Sequence, residues 1–166
     1  MATDAHGEPL AVTVRSARPH DASTIAALHE AAVHGERGRG DYDDRQIDAW
    51  ARSPGPADLA DRIRTRHFLL AEAGAAAVGY AQLDVDASTV RSVYVNPSGQ
   101  RRGTGRRLVH AVLDAARDAR LDRLELDASL NAAGFYEKLG FRQTGQVEHR
   151  FRSGVTMPCI RMAKEL

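Results

Sequence analysis

The chain has 166 residues, 43% of them hydrophobic, enough for one buried core and too many for a disordered chain. Its formal charge of +1 calls for neither a nucleic acid nor a membrane as partner. Cys159 is the only cysteine, so no intrachain disulfide can form and a reducing compartment is the simplest reading. No run is long and apolar enough to span a bilayer, and residues 1–10, with Asp4, Glu8 and Pro9, have no signal-peptide pattern; these features predict a cytoplasmic protein. The histidines show no metal spacing such as HExxH, so no metal is expected.

In chain order, residues 1–10 read as a loose tail and 11–166 as a single domain. Residues 11–17 (AVTVRSA) alternate apolar and polar side chains, as a strand does. Asp21 or Ser23 is placed to cap a helix carrying Ile25, Ala26, Leu28, Ala32 and Val33, which Gly35, Gly38 and Gly40 then break. A second helix is predicted over 42–51, with Ile47 and Trp50 on one face. A short third follows over 57–65, after the loop Ser53-Pro54-Gly55-Pro56. Two strands, 67–73 and 76–85, pair about a turn at Gly74. A central strand through Val90, Val93 and Val95 ends at Asn96-Pro97, since proline has no N–H for a ladder.

Between that strand and the next helix lies Gln100-Arg101-Arg102-Gly103-Thr104-Gly105. Leu108, Val109, Val112 and Leu113 form one apolar face of the helix, predicted over 109–119. Gly103 and Gly105 remove two Cβ atoms where the backbone enters the helix. Helix-start N–H groups have no internal partner, and the helix dipole adds positive charge there. With Arg101, Arg102, Arg106 and Arg107 around the same point, the stretch is a predicted phosphate or pyrophosphate site. It is not a P-loop, because no Lys-Ser or Lys-Thr follows the glycines. Nor is it a dinucleotide fingerprint, because Leu108 occupies the third glycine position. The basic cluster lacks interleaved aromatics, which argues against nucleic acid.

Downstream, a strand over 121–128 leads to a helix predicted over 131–139, with Gly140 as its left-handed end. A hairpin of 141–148 and 155–163 closes the chain, and Pro158 favours an edge or a bulge in its last strand.

The strand, Asn-Pro turn, Gln-Arg-Arg-Gly-Thr-Gly loop and amphipathic helix together resemble the GNAT N-acetyltransferase superfamily, whose loop cradles the pyrophosphate of acetyl-CoA. The segment Asn131-Ala132-Ala133-Gly134-Phe135-Tyr136-Glu137-Lys138-Leu139-Gly140-Phe141 resembles a second motif of that family. YDDRQIDAW and VTMPCIRMAKEL look similar to a branch of small bacterial acetyltransferases. The resemblance covers residues 11–164. It implies a layered α/β fold: a mixed, mostly antiparallel twisted sheet with helices on both faces, the acyl-CoA N-acyltransferase fold.

The resemblance also implies an enzyme using acetyl-CoA to acetylate a small-molecule or peptide amine directly, in a ternary complex. Dimerisation through terminal elements is common in the family and is possible here. By the same resemblance, Val93, Tyr94 and Val95 of the central strand border the pantetheine slot. Gln100, Arg101, Arg102, Gly103, Thr104, Gly105 and Arg106 hold the phosphates. Asn131, Phe135 and Lys138 contact the cofactor, and Tyr136 is the general acid.

The general base is not legible. Many family members place a glutamate on or near the central strand, but 88–95 (STVRSVYV) contains no acid. Asp84, Asp86, His29, His34, Glu30, Glu36 and His149 are the remaining candidates, each more plausible as a surface residue. The missing acid supports an alternative: a CoA-binding sensor without turnover. A nucleotide-binding protein is the third reading. Trp50 and Tyr80 are expected to pack in the core, Tyr42 to pack or to line the acceptor pocket, and Cys159 to be a small core residue.

Overall fold

Apolar residues alternate along the strands and recur every third or fourth position in the helices, so a sheet with both faces covered is the arrangement that buries them. The computed structural model describes residues 11–53, 56–97 and 103–166; the 1–10 tail lies outside them. In these residues seven strands form one sheet: β1 (Val12–Ser16), β2 (His67–Ala73), β3 (Ala76–Asp84), β4 (Thr89–Val95), β5 (Arg123–Ser129), β6 (Arg142–Arg150) and β7 (Thr156–Glu165). The helices are α1 (Ala22–His34), α2 (Asp44–Ala51), α3 (Pro56–Thr65), α4 (Thr104–Asp118) and α5 (Ala133–Glu137). Strand order is β1-β2-β3-β4-β5-β7-β6. Every pairing is antiparallel except β4 with β5.

The alternation is visible within single strands. Phe68, Leu70 and Tyr80 pack with Ile25, Leu28, Leu59 and Ile63 of α1 and α3. Their neighbours Ala71, Ala81 and Leu83 pack with Leu108, Val109, Val112 and Leu113 of α4. Each of those four α4 side chains is almost fully buried and contributes about 1.5–3 kcal/mol. Helices therefore cover both faces, as expected. A third cluster joins Val33, Ile47 and Trp50 to Phe151, Met157 and Cys159 under the β6–β7 hairpin.

Four local expectations are corrected. Helix α4 begins at Thr104, five residues before 109, because buried Thr104 continues the apolar face that Leu108 was expected to open. Asp21 does not cap α1 through its side chain. It accepts from Arg15 Nη1 at 2.8 Å and from the Arg18 N–H at 2.7 Å instead. Helix α5 has five residues rather than nine. Its C-terminal turn is tightened by Gly140 at φ 87°, with Gly140 N–H bonded to Glu137 O and Phe141 N–H to Tyr136 O at 3.0 and 3.1 Å, a Schellman end.

Pro158 lies neither on an edge strand nor at a bulge. β7 is flanked by β5 and β6, and the bulge falls at Gln143/Gly145. It is tolerated because β5 stops at Ser129, opposite Cys159, one residue short of it. The Tyr42 hydroxyl takes over there, accepting from the Leu130 N–H at 2.8 Å and donating to Pro158 O at 2.9 Å.

Candidate active site

The parallel strands β4 and β5 pair only at Thr89↔Glu125, supported by the Glu125 N–H on Ser88 O at 3.0 Å. Beyond that point they part. The gap is a cleft of about 470 Å³ lined by Val93 and Tyr94 on one side, Leu126 and Ala128 on the other, and Tyr136. Main-chain groups alternate sides along a strand, and the Asn96 N–H donates to Val78 O on β3 at 2.9 Å. Tyr94 therefore turns its main-chain groups to β3 as well, while those of Val93 and Val95 face the gap. The Tyr94 side chain lines the cleft and its hydroxyl accepts from Trp50 Nε1–H at 2.7 Å.

At the C-terminal end of β4 stands the start of α4. Gly103 is its N-cap in the left-handed conformation, φ 76°, with open space where a Cβ would stand. The N-cap, being glycine, brings no side-chain cap of its own. Among the described residues the ladder's first bond is Arg107 N–H to Gly103 O at 3.0 Å, and the N–H groups of Gly105 and Arg106 have no ladder partner there. Gly79 on β3 lets the helix approach. A Cβ there would lie 2.8 Å from Tyr94 O and 3.1 Å from Leu108 Cδ1. Thr104 is buried and Arg106 exposed. Gln100, Arg101 and Arg102 lie outside the described residues.

Phe135 is among the few exposed large hydrophobic residues, at 36%. Its ring lies over the helix start, with Cζ 3.2 Å from where a Gly105 Cβ would be. Tyr136, one residue on, is buried yet lines the cleft, and its hydroxyl makes no hydrogen bond among the described residues. Burial, and to a smaller degree the neighbouring Tyr94 phenol, hold its pKa above the usual tyrosine value. It keeps its proton at neutral pH. Asn131 is exposed on the preceding turn; its Oδ1 accepts from Ser129 Oγ at 2.7 Å and its Nδ2 donates to the Glu36 carboxylate. Lys138 is exposed at the end of α5.

The candidate bases separate by what they touch. Buried His29 has both ring nitrogens engaged, Nε2 on Trp50 O at 2.9 Å and Nδ1 on Tyr80 Oη at 3.1 Å. A carbonyl only accepts, so Nε2 carries the proton and Tyr80 donates to Nδ1. Burial lowers the pKa of this neutral ring further. Asp84 is ion-paired to Arg66 and Arg91. Glu36 is held by Asn131, and its pKa is raised by desolvation. Glu30 and His34 face one another outside the cleft at 3.6 Å, and Asp86 lies in an exposed turn. His149 lines the cleft from β6, its ring edge-on to Phe151 at 4.7 Å, with no hydrogen bond to its nitrogens among the described residues. Cys159 is buried and its thiol is pushed up to about 11 by desolvation, so it is a core residue and not a thiolate.

Among the described residues no helix is long and apolar enough to cross a membrane. Within the same residues no group of three His, Cys, Asp or Glu side chains forms a metal site.

Sequence analysis had no signal for the arginines at the other end of this cleft, Arg62, Arg66 and Arg91, or for Asp84 as their partner. They are spread over α3, β3 and β4 and share no local pattern.

No curated protein sequence matches the chain significantly. Solved structures do. A GCN5-related N-acetyltransferase from Rhodopseudomonas palustris is 28% identical, with a TM-score of 0.87 over 95% of this chain and 98% of its own. The protein yncA from Salmonella typhimurium, solved with acetyl-CoA, is 24% identical, TM-score 0.70, over 94% of each chain. A PaiA N-acetyltransferase from Thermoplasma acidophilum, solved with coenzyme A, is 16% identical, TM-score 0.75, over 95% of this chain and 100% of its own. Both of these share the fold. The family profile described as Acetyltransferase (GNAT) domain matches residues 39–166. The chain belongs to the GNAT acetyltransferase family.

Proposed function

We propose that this protein acetylates an amine with acetyl-CoA by direct transfer between two ligands bound together. The observation that carries the proposal is the single-pair contact of β4 and β5, which opens a cleft bordered by a glycine-capped helix start and a tyrosine hydroxyl with no partner among the described residues. When bound, acetyl-CoA supplies the acetyl group as a thioester. Gly103, Gly105 and Arg106, with Gln100, Arg101 and Arg102 before them, would bind its phosphates. The gap-facing main chain of Val93 and Val95 would pair with the pantetheine arm as a strand would, and an N–H there is placed to stabilise charge on the carbonyl oxygen. The Tyr136 hydroxyl holds the proton needed by the departing sulfur.

Direct transfer, rather than passage through a protein thioester, is supported by the state of Cys159, the only cysteine, buried and protonated. His149 is the proton acceptor this cleft offers, since its ring nitrogens are uncommitted and His29's are not. His149→Gln is expected to lower kcat/KM roughly tenfold to a hundredfold without weakening acetyl-CoA binding.

The test is calorimetric titration with acetyl-CoA, followed by thiol release with a panel of amines. Micromolar binding with turnover supports the enzyme. Binding without turnover of any amine would favour the CoA sensor. Absence of binding would remove the proposal.

A further inference from the structure

The cleft carries a second cationic end, near the start of β4. Arg62 on α3, Arg66 just after it and Arg91 on β4 all line it. A single carboxylate serves two of them. Asp84, with its side chain 9% exposed, accepts from Arg66 Nη1 at 2.5 Å and from Arg91 Nε at 3.3 Å. Arg62 has no carboxylate partner among the described residues; its Nη2 donates to Gln82 Oε1, a neutral acceptor, at 3.3 Å. Of the nearby acids, Asp61 is paired to Arg64 at 2.6 Å and Asp127 to Arg161 at 2.9 Å, while exposed Asp58 acts on Arg62 only at longer range, without a direct bond. Three cations against Asp84 and the more distant Asp58 still leave a positive excess around half-buried Arg62. Burial, then Arg66 and Arg91, already lower the pKa of Arg62.

Arg62 and Arg66 also border an adjoining hollow of about 760 Å³ between α2, α3 and the β6–β7 turn. That volume is in the range of small-molecule sites, roughly 300–1,000 Å³. Arg45, Arg52 and Arg152 also line it, against the carboxylates of Asp48, Asp58 and Asp61, so cations are in excess there too. This is not the phosphate site at α4: Arg91 lies four residues before Val95 on β4, about 13 Å along a strand.

We propose that the acceptor is a small amine carrying its own anionic group, a carboxylate or a phosphate, bound by Arg62 together with Arg66 and Arg91. This rests on the acetyltransferase reading above. A planar guanidinium binds either oxyanion through two parallel N–H bonds, which fixes orientation as well as position. The anion supplies the directly bonded counter-charge that Arg62 lacks among the described residues, and anchoring it at this end leaves the amine to reach along β4 toward Val93 and Tyr136.

Initial rates of thiol release are measured for matched pairs: common L-α-amino acids against their carboxamides, and O-phosphoethanolamine against ethanolamine. The expected result is at least a tenfold higher kcat/KM for the charged member of one pair, and the pair that responds separates carboxylate from phosphate. Arg62→Met abolishes the preference while acetyl-CoA affinity is unchanged. Arg62→Lys, which keeps the charge but not the fork, retains part of it. The same pairs are titrated into protein saturated with coenzyme A. Discrimination in binding without turnover supports the anion site and sinks the acetyltransferase reading. Equal behaviour within every pair, no response in either measurement, or a preference that survives Arg62→Met overturns the anion site.

Discussion

The two ends of the β4–β5 cleft offer different chemistry to a ligand. At the α4 end, in the described residues, the offering is main chain: the gap-facing groups of Val93 and Val95, the helix start at Gly103, and the close approach allowed by Gly105 under Phe135. At the α3 end it is side chain: three guanidinium groups held by Asp84 and Gln82. Backbone recognition needs particular residue types at fixed local spacing, because only glycine leaves the chain bare and only a helix start presents unpaired N–H groups. Side-chain recognition needs only that the groups meet in space.

The sharpest way to break the comparison is at the main-chain end. The double variant Gly103→Glu/Gly105→Glu puts side chains and negative charge into the helix start and against Phe135. Acetyl-CoA affinity should fall at least about a hundredfold, about 2.8 kcal/mol, by calorimetry. Unchanged affinity would move the donor away from this loop.

Next comes Tyr136→Phe, which removes a buried cleft hydroxyl that has no partner among the described residues. We expect roughly a hundredfold lower kcat with unchanged acetyl-CoA affinity. A wild-type rate would take Tyr136 out of the chemistry and leave the family membership standing.

A smaller effect sharpens the comparison by separating scaffold from site. Tyr42→Phe loses both bonds that bridge Leu130 and Pro158. Stability to urea should drop by about 1–2 kcal/mol, with donor affinity unaffected. A drop in donor affinity of the same size would show that this bridge sets the width of the cleft.

The smallest effect lies away from both ends. Hydrogen bonds from Arg15 lower the Asp21 pKa from 3.8 to about 2. A depressed carboxylate stabilises the fold above its unfolded pKa, and the contribution is lost as pH falls from near 4 through about 2. Arg15 is 36% exposed, so solvent screening trims the effect to about 1–2 kcal/mol. Asp21→Asn should flatten that part of the acid unfolding curve. A curve unchanged in shape would place the acid sensitivity elsewhere.

What could be read before any coordinates follows the same division. The mixed sheet followed only from the family resemblance, whereas the order of elements and the glycine-loop helix were legible because periodicity and turn chemistry are local. The left-handed turn at Gly140 was legible for the same reason, although the helix before it was read too long. Pro158 misled because a proline's tolerance depends on what lies beside it, and only the register shows that β5 ends opposite Cys159. Asp21 looked like a helix cap because Arg15, six residues earlier, left no mark in the pattern. Arg62, Arg66, Asp84 and Arg91 span thirty positions and three elements, and only the β3–β4 register and the seating of α3 bring them together.

The parting of β4 and β5 also gives the molecule a built-in exchange reporter. Amides in the middle of a packed sheet normally trade their hydrogens for deuterium only when the domain opens, over hours or longer. The Val93 and Val95 amides, on a central strand, face a gap and should label within the first time points, while Tyr94 between them, bonded to β3, labels late. A ligand arm pairing with that edge would slow Val93 and Val95 alone. The result would be a two-residue signature of occupancy, readable without knowing the acceptor.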